Sequence, residues 1–124
     1  MDNIKTKIKS FTDLNAWKEG HKLVLLIYKL TANFPAHEVF GLTNQMRRAV
    51  VSVTSNIAER FRRNTNRDKV QFYTMAHGSL MELQNKLVIS RDLAYIKEDD
   101  FNFIAEKTIT TSKLISGLKR VGSS

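Results

Sequence analysis

A single proline, Pro35, and five glycines punctuate a chain of 124 residues. A fold of many short strands needs a turn roughly every ten residues, and the residue types that make such turns are too scarce here. Long helices with few interruptions are what such a chain can build. Between the breaks, apolar residues recur at three- and four-residue intervals, the period of one helical face.

The first periodic segment opens near Thr12 or Asp13, both good N-cap residues, and strings Leu14, Trp17, His21, Val24 and Tyr28 along one stripe. Leu23, Leu25, Leu26 and Ile27 fill its other faces, and a helix apolar nearly all round is expected to be covered on more than one side. It should end over 31–33, because Pro35 lacks a backbone donor and pushes Phe34 out of helical geometry. A second segment begins after Gly41 and aligns Leu42, Met46, Ala49, Val50, Val53 and Ile57. Arg48, Ser52, Ser55, Glu59 and Arg62 form a polar ridge on its opposite side.

The turn-forming run at 62–66 separates this from a long third segment over 67–93, whose core stripe reads Tyr73, Ala76, Leu80, Leu83, Leu87 and Ala94. Its back carries Met75, Ile89 and Leu93 near Gly78, an apolar surface that a free monomer has little reason to display; these four residues are the expected oligomer interface. A fourth segment starts at Asp99 or Asp100, where carboxylates complement a helix N-terminus, and runs through Phe101, Ile104, Thr108, Thr111, Ile115 and Leu118 to about Arg120. Helices joined by short connections pack against their chain neighbours. The expected architecture is therefore all-α, an antiparallel up-down four-helix bundle over 11–120, between a basic tail at 1–10 and a short tail at 121–124. At 14.2 kDa and 42% hydrophobic residues, one core is what the chain can bury.

Charge is the strongest functional signal. Twenty Lys and Arg against twelve Asp and Glu give a net +8. Seven of the cations, Arg47, Arg48, Arg60, Arg62, Arg63, Arg67 and Lys69, fall in one stretch against only Glu59 and Asp68, so that stretch carries +5. Guanidinium groups match phosphate oxygens with several donors in a plane, and concentrated positive charge attracts polyanions. These seven residues are the candidate nucleic-acid-binding set. Phe61, Phe72 and Tyr73 lie close by, but at helical spacing they fit a core better than a base-stacking platform.

Catalysis finds no foothold. The chain has no cysteine, which removes thiolate nucleophiles, thiolate metal sites and disulfides together and suits a reducing cytoplasm. His21, His37 and His77 are preceded three residues earlier by Lys18, Phe34 and Thr74 rather than by a metal-binding glutamate, and His21 and His77 are expected as hydrogen-bonded core histidines. Phosphate-cradling glycine loops and a nucleophile elbow are absent, so no catalytic residue, metal, cofactor or small-molecule substrate is expected. The longest apolar run, Leu23 to Tyr28, is too short to cross a bilayer, and the first residues lack the apolar stretch of a secretory signal. A cytoplasmic protein with no membrane partner is the expectation.

Beyond periodicity, the ordered runs Phe11-Thr-Asp-Leu-Asn-Ala-Trp17, Tyr28-Lys-Leu-Thr31, Phe34-Pro35, Phe40-Gly-Leu-Thr-Asn-Gln-Met-Arg-Arg-Ala-Val-Val-Ser52, Ser55-Asn-Ile-Ala-Glu59 and Ala76-His-Gly-Ser-Leu-Met-Glu-Leu83 resemble the bacterial four-helix-bundle family named for proteins encoded in 23S ribosomal RNA intervening sequences. The resemblance covers 11–118. It implies a ring-like homopentamer and relatedness to the accessory bundle protein of diversity-generating retroelements, which binds nucleic acid through basic residues. The family's Arg-Arg-Ala matches Arg47, Arg48 and Ala49. Its Glu-Gly-x-x-Arg becomes Glu59-Arg60-Phe61-Arg62-Arg63, with Arg60 in place of the glycine. Two functions remain in view: an oligomer that binds RNA or DNA without sequence preference, or a structural and protein-interaction scaffold whose arginines hold acidic proteins.

Overall fold

The computed structural model describes residues 8–122 and builds them into four helices with no strand among them: α1 (Asn15–Thr31), α2 (Leu42–Arg62), α3 (Asn66–Asp92) and α4 (Glu98–Gly122). Most of the expected basic tail, residues 1–7, and the last two residues lie outside the described residues, and α4 continues through Val121 to Gly122.

Helix ends fall where side chains can satisfy orphan backbone groups. Before α1, Ser10 caps a 3-10 turn over Phe11–Asp13, accepting from the Thr12 amide at 3.2 Å. The Asp13 carboxylate accepts from the Lys9 amide at 2.9 Å and the Ser10 amide at 3.1 Å, and these two bonds hold its pKa below the ordinary value. Thr12 and Asp13, the expected N-cap residues, thus fall inside this turn; α1 itself starts after Leu14, which offers no side-chain cap. Thr65 caps α3 by accepting from the Asp68 amide at 3.2 Å.

At the start of α2, the Glu38 carboxylate accepts from the Leu42 amide at 3.0 Å and from the Tyr95 hydroxyl at 2.9 Å. Those two bonds hold Glu38 below the usual carboxylate range, and the second holds Tyr95 above the usual phenol range. A Cβ on Gly41 would lie 2.5 Å from Glu38 Oε1, so a larger residue there would push the Glu38 carboxylate off the Leu42 amide.

Pairs across the helix faces fix the directions. Met46 meets Ser90, Ser52 meets Ser79 and Arg63 meets Phe72, so α2 and α3 run antiparallel. Gln84 with Thr108 and His77 with Ser116 give the same sense for α3 and α4, and Thr31 with Arg47 and Gly20 with Thr54 for α1 and α2. The helices pack against one another in chain order, and α1 closes the ring against α4. Up-down antiparallel topology follows, as short connections require.

Leu23, Ile27, Met46, Val50, Val53, Ile57, Leu80, Leu83, Leu87 and Ile115 are fully buried and form the centre of the core. Thr108 and Thr111 join them with their hydroxyls bonded to the Ala105 and Lys107 carbonyls, so no polar cost is left open.

Two sequence expectations shift. On α1 the buried stripe is Ala16, Gly20, Leu23, Ile27 and Thr31, whereas Trp17 and Val24 are half-buried and His21 and Tyr28 exposed. Near its start α1 approaches α2 so closely that a Cβ on Gly20 would sit 3.0 Å from Thr54 Cγ2, so small residues, Ala16 and Gly20, rather than aromatic rings occupy the buried line there. On α3, Ala94 is not part of the core stripe. It lies beyond the helix end with φ 64°, exposed, while Ser90 takes the buried position and bonds the Lys86 carbonyl at 2.8 Å.

Candidate nucleic-acid interface

Up-down topology brings the end of α2, the α2–α3 turn and the start of α3 to one end of the bundle, where Arg60, Arg62, Arg63, Arg67 and Lys69 gather. Within this group the side chains divide by direction. Arg60 points inward: it is 8% exposed and donates from Nη2 to the Leu118 carbonyl at 2.6 Å, and burial pushes its pKa down. The residue expected in a surface patch is therefore an internal brace, because position 60 shares the inward face of α2 with Val53 and Ile57.

Glu59 gathers its two neighbours. Arg62 Nε lies 3.1 Å from Glu59 Oε1 and Arg63 Nη2 lies 2.9 Å from the same oxygen. The Arg62 bond, followed by that of Arg63, holds the Glu59 carboxyl below its ordinary pKa. Arg63 also lays its guanidinium over the Phe72 ring, 4.7 Å from the centroid, which covers one of its faces. Phe72 is half-buried in this role. Arg62 remains exposed on its far side, and Arg67 and Lys69 have no carboxylate within ion-pair distance among the described residues.

Arg47 and Arg48 stand apart, about 20 Å up α2 from Arg60 at 1.5 Å per residue. Arg47 donates to Thr31 Oγ1 at 2.9 Å and to the Tyr28 carbonyl at 3.3 Å, with its guanidinium over the Tyr28 ring. It stabilises the carbonyl end of α1. Arg48 is exposed on the solvent-facing ridge that also carries Ser55 and Arg62, fourteen residues on along the same face. The seven-residue set thus resolves into an outward group of Arg62, Arg67 and Lys69 with Arg63 partly engaged, a distant Arg48, and two structural arginines.

The four residues of the expected interface, Met75, Gly78, Ile89 and Leu93, all lie on the exposed side of α3, with the Glu82–Lys86 pair between them. Met81 and Val88 add to this apolar surface and do not stand out in the sequence, since they flank the stripe rather than continue it. Phe40, 90% exposed in the α1–α2 connection, is a second omission. Nothing in the periodicity marks it, because it lies between helices.

Among the histidines, His21 is exposed and stacks on Trp17 at 4.7 Å, so it is not a core residue, while half-buried His77 lies 3.3 Å from Ser116 Oγ. No group of three or more His, Asp or Glu side chains able to hold a metal occurs among the described residues, and no helix there is long and apolar enough to cross a membrane.

Comparison with known proteins converges on the same architecture. Residues 12–117 match the family described as 23S rRNA-intervening sequence protein. The chain belongs to that family. A crystal structure of a protein of unknown function from the S23 ribosomal protein family of Bacteroides thetaiotaomicron superposes with a TM-score of 0.75 at 18% identity, covering 85% of this chain and 98% of that one. At that identity the likeness shows the fold alone. No curated protein matches the sequence. Arg60, where the sequence resemblance implies a glycine, is the arginine that faces inward.

Proposed function

We propose that this member of the 23S rRNA-intervening sequence protein family is a non-enzymatic, cytoplasmic homo-oligomer that binds RNA or DNA without sequence preference. The observation that carries the reading is the basic group at one bundle end, where Arg62 and Arg67 are exposed, Lys69 and Arg63 are half-buried beside them and, among the described residues, the carboxylate that this group engages is Glu59. Such an end neutralises phosphates and releases counterions, a binding mode that follows charge density rather than base identity.

Assembly supports the reading twice over. The exposed apolar back of α3 gives copies a surface on which to associate, and the family resemblance points to a pentameric ring. A ring presents the same basic end several times to one polyanion, so modest contacts multiply. Mass measurement in solution with and without nuclease tests both parts. The expected result is a multimer that copurifies with nucleic acid and loses that cargo on nuclease treatment. A monomer free of nucleic acid at low salt would reject the proposal.

A further inference from the structure

The packing of α1 on α4 closes the bundle less tightly than that of α2 on α3, and a groove of about 360 Å³ opens along it. Leu23 and Leu26 form its floor, Leu25 and Phe103 stand as walls at 58% and 51% exposure, and Lys22, Lys29 and Lys107 line its edges. Toward one end it continues past Leu30 and Ile104; toward the other it reaches Trp17 and Leu114. From position 30 to position 17 that is about 20 Å along α1.

We propose that this groove docks an acidic amphipathic helix of a partner protein. The aliphatic floor asks for an apolar stripe, and the lysines on both sides ask for carboxylates flanking that stripe. Glu19 is already paired with Lys22 at 3.0 Å and Asp100 stands at the far end, so positive charge dominates the middle of the rim, where Lys29 has no carboxylate partner among the described residues. A channel between two antiparallel rods suits a third rod, which would pack as helices ordinarily do, with axes about 8–10 Å apart. Two neighbours fit less well. Nucleic acid stacks its bases on free aromatic faces, and here the floor is aliphatic while Lys107 Nζ lies 5.2 Å from the Phe103 ring centre. A lipid surface calls for a convex apolar face, and this one is concave.

This goes beyond nucleic-acid binding and stands or falls separately, since none of the groove residues belongs to the arginine end. The test is fluorescence anisotropy with two synthetic helical peptides of about four turns each. Both carry leucine at a helical stripe; one is flanked by glutamates and the other by lysines. The full-length protein should bind the acidic peptide at least about tenfold more tightly than the basic one, a difference of about 1.4 kcal/mol. Leu25→Ser with Phe103→Ser should remove that binding with helicity unchanged, and Lys29→Glu should narrow the preference between the two peptides. Equal affinity for both peptides, or none for either, would overturn the proposal. So would a change in assembly mass in the Leu25→Ser and Phe103→Ser variant, because the groove would then belong to a second copy of this chain.

Discussion

Arg60 Nη2 donates to the Leu118 carbonyl at 2.6 Å, joining the last turn of α2 to the last turns of α4 across the bundle. Chain connectivity alone leaves those two helices at diagonal corners with no loop between them, so this bond ties together two elements that the chain itself does not join. A buried charged donor bonded to a carbonyl is worth about 1.5–3 kcal/mol. Arg60→Ala is therefore expected to lower unfolding free energy by about 2–3 kcal/mol, read by urea denaturation, while leaving nucleic-acid affinity of the folded protein unchanged. A loss of affinity without loss of stability would return Arg60 to the binding surface.

Ala94 holds φ at 64° one residue past the α3 C-cap, with its amide bonded to the Arg91 carbonyl at 2.9 Å. Left-handed geometry costs a residue with a Cβ about 1 kcal/mol or more, a cost glycine avoids. Ala94→Gly should raise stability by about 0.5–1 kcal/mol, and Ala94→Val should lower it. Thermal unfolding of the two variants side by side checks the order.

Gly20 and Thr54 should be energetically coupled. Gly20→Ala gains about 1 kcal/mol of helix propensity but brings its new methyl group to 3.0 Å from Thr54 Cγ2. In wild type these effects offset; with Thr54→Ala the obstruction is gone and the full gain should emerge. A double-mutant cycle is expected to return at least about 0.5 kcal/mol of coupling. Simple additivity would mean that α1 shifts freely against α2.

Glu38 makes stability depend on acid. Its folded pKa is lowered, chiefly by the Leu42 amide and then by the Tyr95 hydroxyl, so its contribution is fully present above the ordinary glutamate value and is lost as pH falls through the folded value. Melting temperature should fall between about pH 5 and pH 3. Glu38→Gln should flatten that part of the profile and leave the neutral-pH end lower. An unchanged slope would remove Glu38 from the cap of α2.

Sequence legibility followed the physics of each element. Periodicity located α2 and α4 well, because Met46, Val50, Val53 and Ile57, and Ile104, Thr108, Thr111 and Ile115, stand on one face each and that face is the buried one. On α1 the same method picked Trp17, His21 and Tyr28 in preference to Ala16 and Gly20, since ring size reads as hydrophobic weight while close helix approach rewards small residues. Apolar residues all round α1 call for cover on more than one side, and within one subunit Leu25 stays 58% exposed, a side that a single bundle leaves open. The charge run marks one bundle end, and the Val53–Ile57 stripe carried three residues further marks Arg60 as inward, whereas no spacing marks Arg47. Arg47 and Arg60 are spent on backbone carbonyls of other helices, bonds that exist only once the chain has folded.

Phosphate binding by the outward cations at the α2–α3 end underlies the proposed function. It is tested most directly by the salt dependence of RNA and DNA affinity, measured for wild type and for Arg62→Ala with Arg67→Ala and Lys69→Ala. If each side chain meets one phosphate, the variant's log–log slope should be shallower by about 2–3, at about 0.7–0.9 for each phosphate no longer neutralised. Parallel slopes for the two proteins, or no wild-type binding at low salt, would contradict it.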